Sequence, residues 1–391
     1  MSNTKKLFED YVLNTYNRRG PVFVKGKGSW LWDEAGEKYL DLFPGWGVSI
    51  LGHCHPRIVK ALSDQAKKLI HLPNNLFFAE QAILAKEIVK STFDSKVFFS
   101  NSGAEANEGA VKLSRLYGKG QRHEIIVMKN SFHGRTFAAL SATGQAKYKE
   151  PFAPILETFR EVEFNDVAGL KAAVTPKTVG ILLELIQGEG GINMASREYI
   201  DAILTLCREK DLLLMVDEVQ TGMGRLGKLF AFQLYGITPD IVTISKGLGA
   251  GVPIGAIVVN KRIADIIKPG MHASTFGGSP LVTRVSLETF KVIKEEKLLQ
   301  NVKIMGSYLK KRLNGMRNKF SFIKEVRGEG LMLGVELEHK TFPIFESVFE
   351  RGVIINSTHD TVLRIMPALN VTRKELDYGL DVIEEVFKGV K

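Results

Sequence analysis

Two apolar runs with polar residues at their ends determine the fold: LLLMVDEVQTGMGR (212–225) and IVTISKGLGAGVPIGAIVVN (241–260). Similar runs precede them at KVFFS (96–100), EIIVMK (124–129) and GILLE (180–184). Short, almost wholly apolar runs bounded by glycine, proline or charge are typical of buried parallel strands. Helical patterns lie between several of them, so the middle of the chain predicts a mainly parallel sheet flanked by helices. We expect every run to be parallel, including GAIVVN (255–260).

The pattern changes after about Pro280. A long helical stretch (288–313) is followed by strand-like segments and a final amphipathic helix from Arg373 to Phe387, which indicates an α+β domain. The segment FVKGKGSWLWDEAGEKYLDL (23–42) has a strand-turn-strand pattern and is expected to pack with it. We therefore predict a large α/β domain over 46–279 and a smaller α+β domain formed by 1–45 and 280–391.

Composition and charge narrow the possible functions. The chain has 391 residues, only two cysteines and no apolar stretch of membrane-spanning length, so we expect a cytoplasmic protein without a disulfide framework or a membrane partner. Its formal net charge is +10, but the basic residues are interleaved with acidic ones along helical stretches. That distribution favours small anionic substrates over nucleic acid.

The strongest chemical signals follow the apolar runs, because ligands of open parallel sheets bind at the carboxyl ends of the strands. Lys246 ends such a run, and desolvation there would lower its pKa and leave a nucleophilic amine. Asp217 ends another, where a buried carboxylate needs a cationic or hydrogen-bonding partner. Ser102 opens a helical pattern whose first-turn amides suit a phosphate. Taken one at a time, each also fits a structural role: a strand-end lysine, a turn aspartate and a helix N-cap.

The combination of motifs resembles the class III (ornithine-type) aminotransferases, which depend on pyridoxal 5'-phosphate. The resemblance covers the chain from about Tyr16 onward and is carried, in order, by SGAEANE (102–108), SFHGRT (131–136), ELIQGEGG (184–191), DEVQTGMGR (217–225), SKGLGAGVPIG (245–255), STFGGSPL (274–281) and LRIMPALNVT (363–372). It implies the fold of type I pyridoxal-phosphate transferases and a homodimer with shared active sites.

The resemblance also assigns the cofactor site. Lys246 would carry the cofactor as a Schiff base and act as general base and acid, and Asp217 would pair with the pyridine nitrogen. The remaining cofactor-binding residues implied are Ser102, Gly103 and Ala104 at the phosphate, Phe132 and Val219 on the two ring faces, Gln220 near the ring hydroxyl, and Thr275 reaching the phosphate of the partner subunit.

Two arginines are implied at the substrate site. Arg135 and Arg364 suit bidentate binding of carboxylates. One would hold the distal carboxylate of 2-oxoglutarate or the α-carboxylate of an ω-amino donor, and the other the α-carboxylate of the oxo acid. Glu189 resembles a switch that masks the second arginine when the donor has no carboxylate near its reacting amine. Trp46 and Ser274 are also expected at the substrate.

The expected reaction moves the terminal amino group of N-acetylornithine to 2-oxoglutarate, because the AGVPIGA and PALNVT segments look most like that branch. Ornithine, succinyl-diaminopimelate and 4-aminobutyrate stay open as donors, as does a mutase or decarboxylase of the same class. Leu185, Ser279 and Trp46 depart from the family pattern. Trp46 matters most, since a bulky indole at the substrate entrance would reshape the donor pocket.

Short motifs also raise two other classes of site. Gly222, Gly224 and Gly227 form a GxGxxG pattern, which would suit an NAD-binding oxidoreductase. However, DEVQT separates the strand from the glycines, and the following helical stretch is too short for a βαβ unit. The sequence His53–Cys54–His55 lacks the spacing of a metal site, and we expect no metal.

Overall fold

The computed structural model describes residues 3–390. Its strands are β1 (Phe23–Lys27), β2 (Trp30–Asp33), β3 (Lys38–Asp41), β4 (Ser95–Ser100), β5 (Glu124–Met128), β6 (Phe159–Val162), β7 (Thr178–Leu183), β8 (Ile186–Gln187), β9 (Asn193–Met194), β10 (Leu213–Asp217), β11 (Ile241–Ile244), β12 (Gly255–Asn260), β13 (Ile323–Glu329), β14 (Met332–Leu337), β15 (Val353–Ile354), β16 (Asn356–Thr358) and β17 (Val362–Ile365). Its α-helices are α1 (Asn3–Tyr11), α2 (Pro56–Ala66), α3 (Ala79–Ser91), α4 (Gly103–Tyr117), α5 (Phe137–Ala142), α6 (Ala146–Lys149), α7 (Val167–Ala173), α8 (Arg197–Lys210), α9 (Phe232–Tyr235), α10 (Lys261–Ala264), α11 (Pro280–Glu295), α12 (Leu298–Arg317), α13 (Phe342–Glu350) and α14 (Arg373–Lys388). Short 3₁₀ turns occur at Pro44–Gly47, Glu150–Phe152 and Lys246–Leu248.

A seven-stranded sheet forms the centre of the molecule, in the order β4-β12-β11-β10-β7-β5-β6. The strands from β11 to β6 pair in parallel, as predicted for the apolar runs of β11, β10, β7 and β5, whereas the half-charged β6 was not predicted. The prediction was wrong for GAIVVN, because β12 runs antiparallel to both β11 and β4. Only ten residues separate β11 from β12, too few for the crossover connection that a parallel pair requires.

Two smaller four-stranded sheets lie outside the central one. In one of them, β3 near the N-terminus pairs in parallel with β15 near the C-terminus, so these distant segments share a sheet as expected. The other has the order β13-β14-β17-β16. The long helical stretch expected over 288–313 is helical but is divided between α11 and α12, which are separated by a left-handed Lys297 with φ of 53°.

The central sheet determines where polar side chains collect. Every residue of β7, β10 and β11 is buried, and their alternate apolar side chains pack into two clusters, so these strands are fixed from both faces by the core. In-register pairing of Asp217 with Thr243 brings the carboxyl ends of β10 and β11 to the same edge. Among the described residues, no helix is both long and apolar enough to cross a bilayer.

Candidate active site

A cavity of about 480 Å³ opens at the carboxyl edge of the central sheet. It is bounded by the ends of strands and the first turn of α4, and it contains most of the residues that the motifs nominated. Its wall includes Ser102, Gly103, Ala104, Asn107, Phe132, His133, Arg135, Glu184, Glu189, Asp217, Val219, Gln220 and Lys246.

Lys246 stands two residues after the end of β11, at the start of a 3₁₀ turn, and lines the cavity. Its backbone has a φ of 44°, a left-handed conformation that is strained for a residue with a side chain and is often found at functional sites. Among the described residues its amine has no hydrogen-bond or ion-pair partner. Burial lowers its pKa, although the charges of Glu189 and Asp217 act in the opposite direction. The result is an amine that is easier to deprotonate than an exposed lysine.

The carboxylate of Asp217 is held at the end of β10 by fixed donors. Its Oδ2 accepts a hydrogen bond from Nδ2 of Asn107 at 2.8 Å and contacts Nδ1 of His133 at 2.8 Å, and its Oδ1 accepts from the amide of Val219 at 2.9 Å. Asn107 is itself fixed by the hydroxyl of Thr243. The carboxylate therefore has one orientation and directs its charge into the cavity.

The start of α4 forms a concave wall with room for an anion. Ser102 caps the helix by accepting a hydrogen bond from the amide of Glu105 at 3.1 Å. Gly103 comes so close to Val219 that a Cβ atom built on it would lie 2.7 Å from Cγ1 of that residue. The helix N-terminus, with its free amides and positive dipole end, faces the same cavity as Lys246.

Glu184 follows β7 and adds a second buried carboxyl group. It accepts hydrogen bonds from the amides of Phe132 at 3.0 Å and Gly188 at 3.1 Å. Burial, opposed by His133 and reinforced by Asp217, raises its pKa to about 7. Glu184 thereby fixes the backbone of Phe132, whose ring lines the cavity and packs edge-to-face against Tyr148.

Arg364 and Glu189 form a buried ion pair. Glu189 Oε1 lies 2.8 Å from Nη1 of Arg364, and the exposed fractions of the two side chains are 18% and 0%. Burial alone would raise the pKa of Glu189, but the charge of Arg364 together with Lys246 outweighs burial and lowers it. Glu189 lines the cavity and Arg364 does not, so the carboxylate lies between the arginine and the space for a ligand.

Arg135 differs from Arg364 in its surroundings. It is exposed, and its guanidinium lies over the rings of Tyr148 at 4.0 Å and Phe132 at 5.4 Å. Among the described residues no carboxylate pairs with it. Arg135 is therefore exposed, stacked on aromatic rings and without a paired carboxylate, whereas Arg364 is buried and already paired with Glu189.

Four of the nominated residues lie outside the cavity wall: Arg364, which reaches it through Glu189, and Trp46, Ser274 and Thr275. Trp46 is half-exposed on the turn before Val48 and contacts the site through its backbone carbonyl, which accepts a weak hydrogen bond from Gln220 at 3.4 Å. Ser274 contacts Asn101 and the amide of Gly277, and Thr275 is exposed on the surface. Their assigned roles stay predictions.

The sequence did not single out Asn107, His133 and Glu184 as individual functional residues, although all three lie within motifs that it quoted. Their carboxylate and backbone contacts depend on residues 52 to 110 positions away, which no local pattern reports.

The competing interpretations do not match the geometry. The segment with Gly222, Gly224 and Gly227 is a buried turn followed only by the four-residue α9, so it lacks the long helix of a dinucleotide-binding unit. His53 pairs with Asp41 and His55 with Glu296, in separate contacts. Within residues 3–390, no group of three or more His, Cys, Asp or Glu is arranged to hold a metal ion.

The fold and this constellation define a transferase of the aminotransferase type. The family model for class III aminotransferases matches residues 15–387, and the chain belongs to that pyridoxal-phosphate-dependent family.

The chain is similar to named members of the family over nearly its whole length. It is 46% identical over 386 residues to the acetylornithine aminotransferase of Caldanaerobacter subterraneus, a match that covers 97% of this chain and 98% of that protein. It is 45% identical over 392 residues to the enzyme of the same name from Methanocaldococcus jannaschii, covering 98% of each. Among solved structures, an ornithine aminotransferase from Toxoplasma gondii matches with a TM-score of 0.94 at 32% identity, covering 99% of this chain and 94% of that one.

Proposed function

We propose that the protein binds pyridoxal 5'-phosphate and transfers the terminal amino group of N-acetylornithine to 2-oxoglutarate. The observation that carries the proposal is one cavity into which a lysine amine, a fixed carboxylate and a helix N-terminus all project. These groups fit the imine-forming aldehyde, the pyridine nitrogen and the phosphate of the cofactor, respectively. When bound, the cofactor supplies an electron sink for the carbon that carries the reacting amine.

Each residue then has a physical task. Burial lowers the pKa of Lys246, so its amine, once freed by the substrate, would suit the role of the base that accepts a proton from the substrate carbon. Asp217 would keep the ring nitrogen of the bound cofactor protonated, and Asn107 and His133 hold that carboxylate in place. The amides at 102–104 would bind the phosphate, while Phe132 and Val219, which line the cavity, would confine the ring.

The arginines account for the use of two unlike substrates. The open Arg135 suits the carboxylate that lies far from the reacting group in both substrates, namely the α-carboxylate of N-acetylornithine and the distal carboxylate of 2-oxoglutarate. Arg364 suits the α-carboxylate of 2-oxoglutarate, which must take the place of Glu189. The reacting end of N-acetylornithine has no carboxylate, so the Arg364–Glu189 pair stays intact beside it. The names of the similar proteins support this donor.

We also propose a cytoplasmic homodimer with shared active sites. Leu76 and Phe77 expose large apolar side chains, and Phe276 beside Thr275 does the same. Exposed apolar surface of this kind is typical of protein interfaces. Thr275 lies outside the cavity of its own chain, which is compatible with a contact to the cofactor phosphate of a partner subunit.

The test begins with the visible absorbance of the purified protein reconstituted with pyridoxal phosphate. We expect a band from lysine-linked cofactor that falls when N-acetylornithine is added alone and returns with 2-oxoglutarate. Lys246→Ala should abolish the band, whereas Lys261→Ala, which removes an exposed lysine from α10, should retain it.

Each outcome is informative. Absence of the band in the unmodified protein would refute the cofactor assignment. A band that responds to ornithine, succinyl-diaminopimelate or 4-aminobutyrate in preference to N-acetylornithine would replace the proposed donor. Product analysis distinguishes transfer, which yields glutamate, from a mutase or decarboxylase reaction, which does not.

A further inference from the structure

Asn356 faces Arg364 across two antiparallel strands. The two residues are directly paired in the register of β16 and β17, which brings their side chains to the same face. Oδ1 of Asn356 accepts hydrogen bonds from two nitrogens of the guanidinium, Nη2 at 2.8 Å and Nε at 3.1 Å. The whole edge of Arg364 that points away from Glu189 is therefore held by one amide oxygen.

The partners of Arg364 other than Glu189 are all neutral. Nη1 also donates to the carbonyl of Gly188 at 2.7 Å and to Oε1 of Gln220 at 3.2 Å, and the ring of Phe43 lies 4.6 Å from the guanidinium carbon. Neutral oxygens satisfy the buried N–H groups without cancelling the positive charge. Within residues 3–390, Glu189 is the only carboxylate paired with this arginine.

We infer that Asn356 is a positioning residue that fixes the Arg364 guanidinium while leaving its full charge available to a substrate α-carboxylate. The inference rests on the proposed function, in which Glu189 gives way to that carboxylate. If Arg364 moved with Glu189, no preformed site would remain, and the amide of Asn356 prevents this movement. An aspartate would hold the same two nitrogens equally well but would neutralise the arginine permanently, so the neutrality of Asn356 is as important as its geometry.

The test compares Asn356→Asp, which keeps the oxygen acceptor and adds a charge, with Asn356→Ala, which removes the acceptor. Asn318→Asp is the matched control, since it adds the same charge at an exposed position after α12. Binding of glutarate, an unreactive dicarboxylate, is measured by calorimetry. The two half-reactions are then measured separately, with N-acetylornithine as donor and with 2-oxoglutarate as acceptor.

We expect Asn356→Asp to weaken glutarate binding by about 10- to 100-fold, the range of a lost charge-assisted contact, and to raise the Michaelis constant for the acceptor 2-oxoglutarate by the same factor. The N-acetylornithine half-reaction should stay within about two-fold, and Asn318→Asp should match the parent protein. Asn356→Ala should give a smaller loss, again confined to 2-oxoglutarate.

Unchanged glutarate binding in Asn356→Asp, or an equal loss in both half-reactions of a folded variant, would overturn the inference. If Asn356→Asp does not fold, Asn356→Ala decides alone, and it must still impair 2-oxoglutarate selectively. The parent protein separates the two hypotheses, because failure of its own half-reactions refutes the proposed function, whereas failure of the variants to discriminate refutes only the role of Asn356.

Discussion

Replacing Glu189 with glutamine tests the ion pair at the substrate site. The substitution preserves shape and an oxygen acceptor but removes the only negative charge paired with Arg364 among the described residues. At an effective dielectric constant of about 20, two unit charges 2.8 Å apart attract each other by about 6 kcal/mol. The net value is smaller because both groups have left water, and hydrogen bonds to charged groups contribute about 1.5–3 kcal/mol.

That free energy sets the expected change in specificity. In the variant, an α-carboxylate that approaches Arg364 no longer has to displace the carboxylate of Glu189. We therefore expect kcat/KM for glutamate and 2-oxoglutarate to rise. We expect kcat/KM for N-acetylornithine to fall, because the reacting end of this donor has no carboxylate and would lie beside an arginine without a counter-ion. The ratio of kcat/KM for glutamate to that for N-acetylornithine should rise by about 10- to 150-fold.

The assay follows the cofactor absorbance in single half-reactions with each donor. Glu346→Gln is the control, because Glu346 forms a surface pair with Arg19 at 3.5 Å, far along the chain from the cavity residues. A ratio that stays within about two-fold of the parent, in a variant that retains the cofactor band, would refute the reasoning. A fall in the ratio, which would mean that the variant prefers N-acetylornithine more strongly than the parent does, would also refute it.

Three further perturbations test the scaffold of the site. Asn107→Leu removes a hydrogen-bond donor to Asp217, so the affinity for pyridoxal phosphate and the turnover should each fall by about 10-fold or more. A titration with pyridoxal phosphate measures the affinity, and an unchanged affinity would contradict the role given to Asn107. Gly103→Ala places a Cβ 2.7 Å from Val219 and should weaken the binding of the cofactor. The second substitution Val219→Ala should restore part of that binding. If Gly103→Ala alone binds the cofactor as tightly as the parent protein, the steric argument is wrong. Burial raises the pKa of Glu218 from 4.5 to about 7, so the folded state binds this proton more tightly and the contribution of Glu218 to stability falls as pH rises through that interval. The melting temperature of Glu218→Gln relative to the parent should therefore rise between about pH 4.5 and 7, and a constant difference across that window would count against the shift.

Much of the fold was predictable because β5, β7, β10, β11 and β12 of the central sheet are almost wholly apolar. Hydrophobic runs of that kind locate strands but say nothing of their direction, which is why the antiparallel β12 was missed. The break between α11 and α12 was missed for a related reason. The charged residues 294–297 between the two apolar patterns all have good helix propensity, and no glycine or proline marks the break, so the left-handed backbone of Lys297 could not be read from the sequence.

Some residues of the candidate site could be predicted from the sequence and others could not. Lys246 and Asp217 were found because a polar residue directly after an apolar strand is visible in the sequence. Asn356 was not, because β16 has three residues and its importance comes from the register with Arg364. The orientation of Trp46 was equally hidden, since it depends on a turn in which Gly45, Trp46 and Gly47 all have positive φ.

The contrast between the two arginines explains why only one of them needs a switch. Arg135 is exposed to water and stacked on Tyr148, so its charge is solvated whether or not a substrate is present. Arg364 is fully buried, and a buried cation without a counter-ion costs several kcal/mol. When a substrate α-carboxylate replaces Glu189, one negative charge is exchanged for another, and the net charge beside Arg364 stays constant. Neutral partners such as Asn356 are what make this exchange possible, because a second fixed carboxylate would satisfy the arginine permanently and leave the substrate nothing to neutralise.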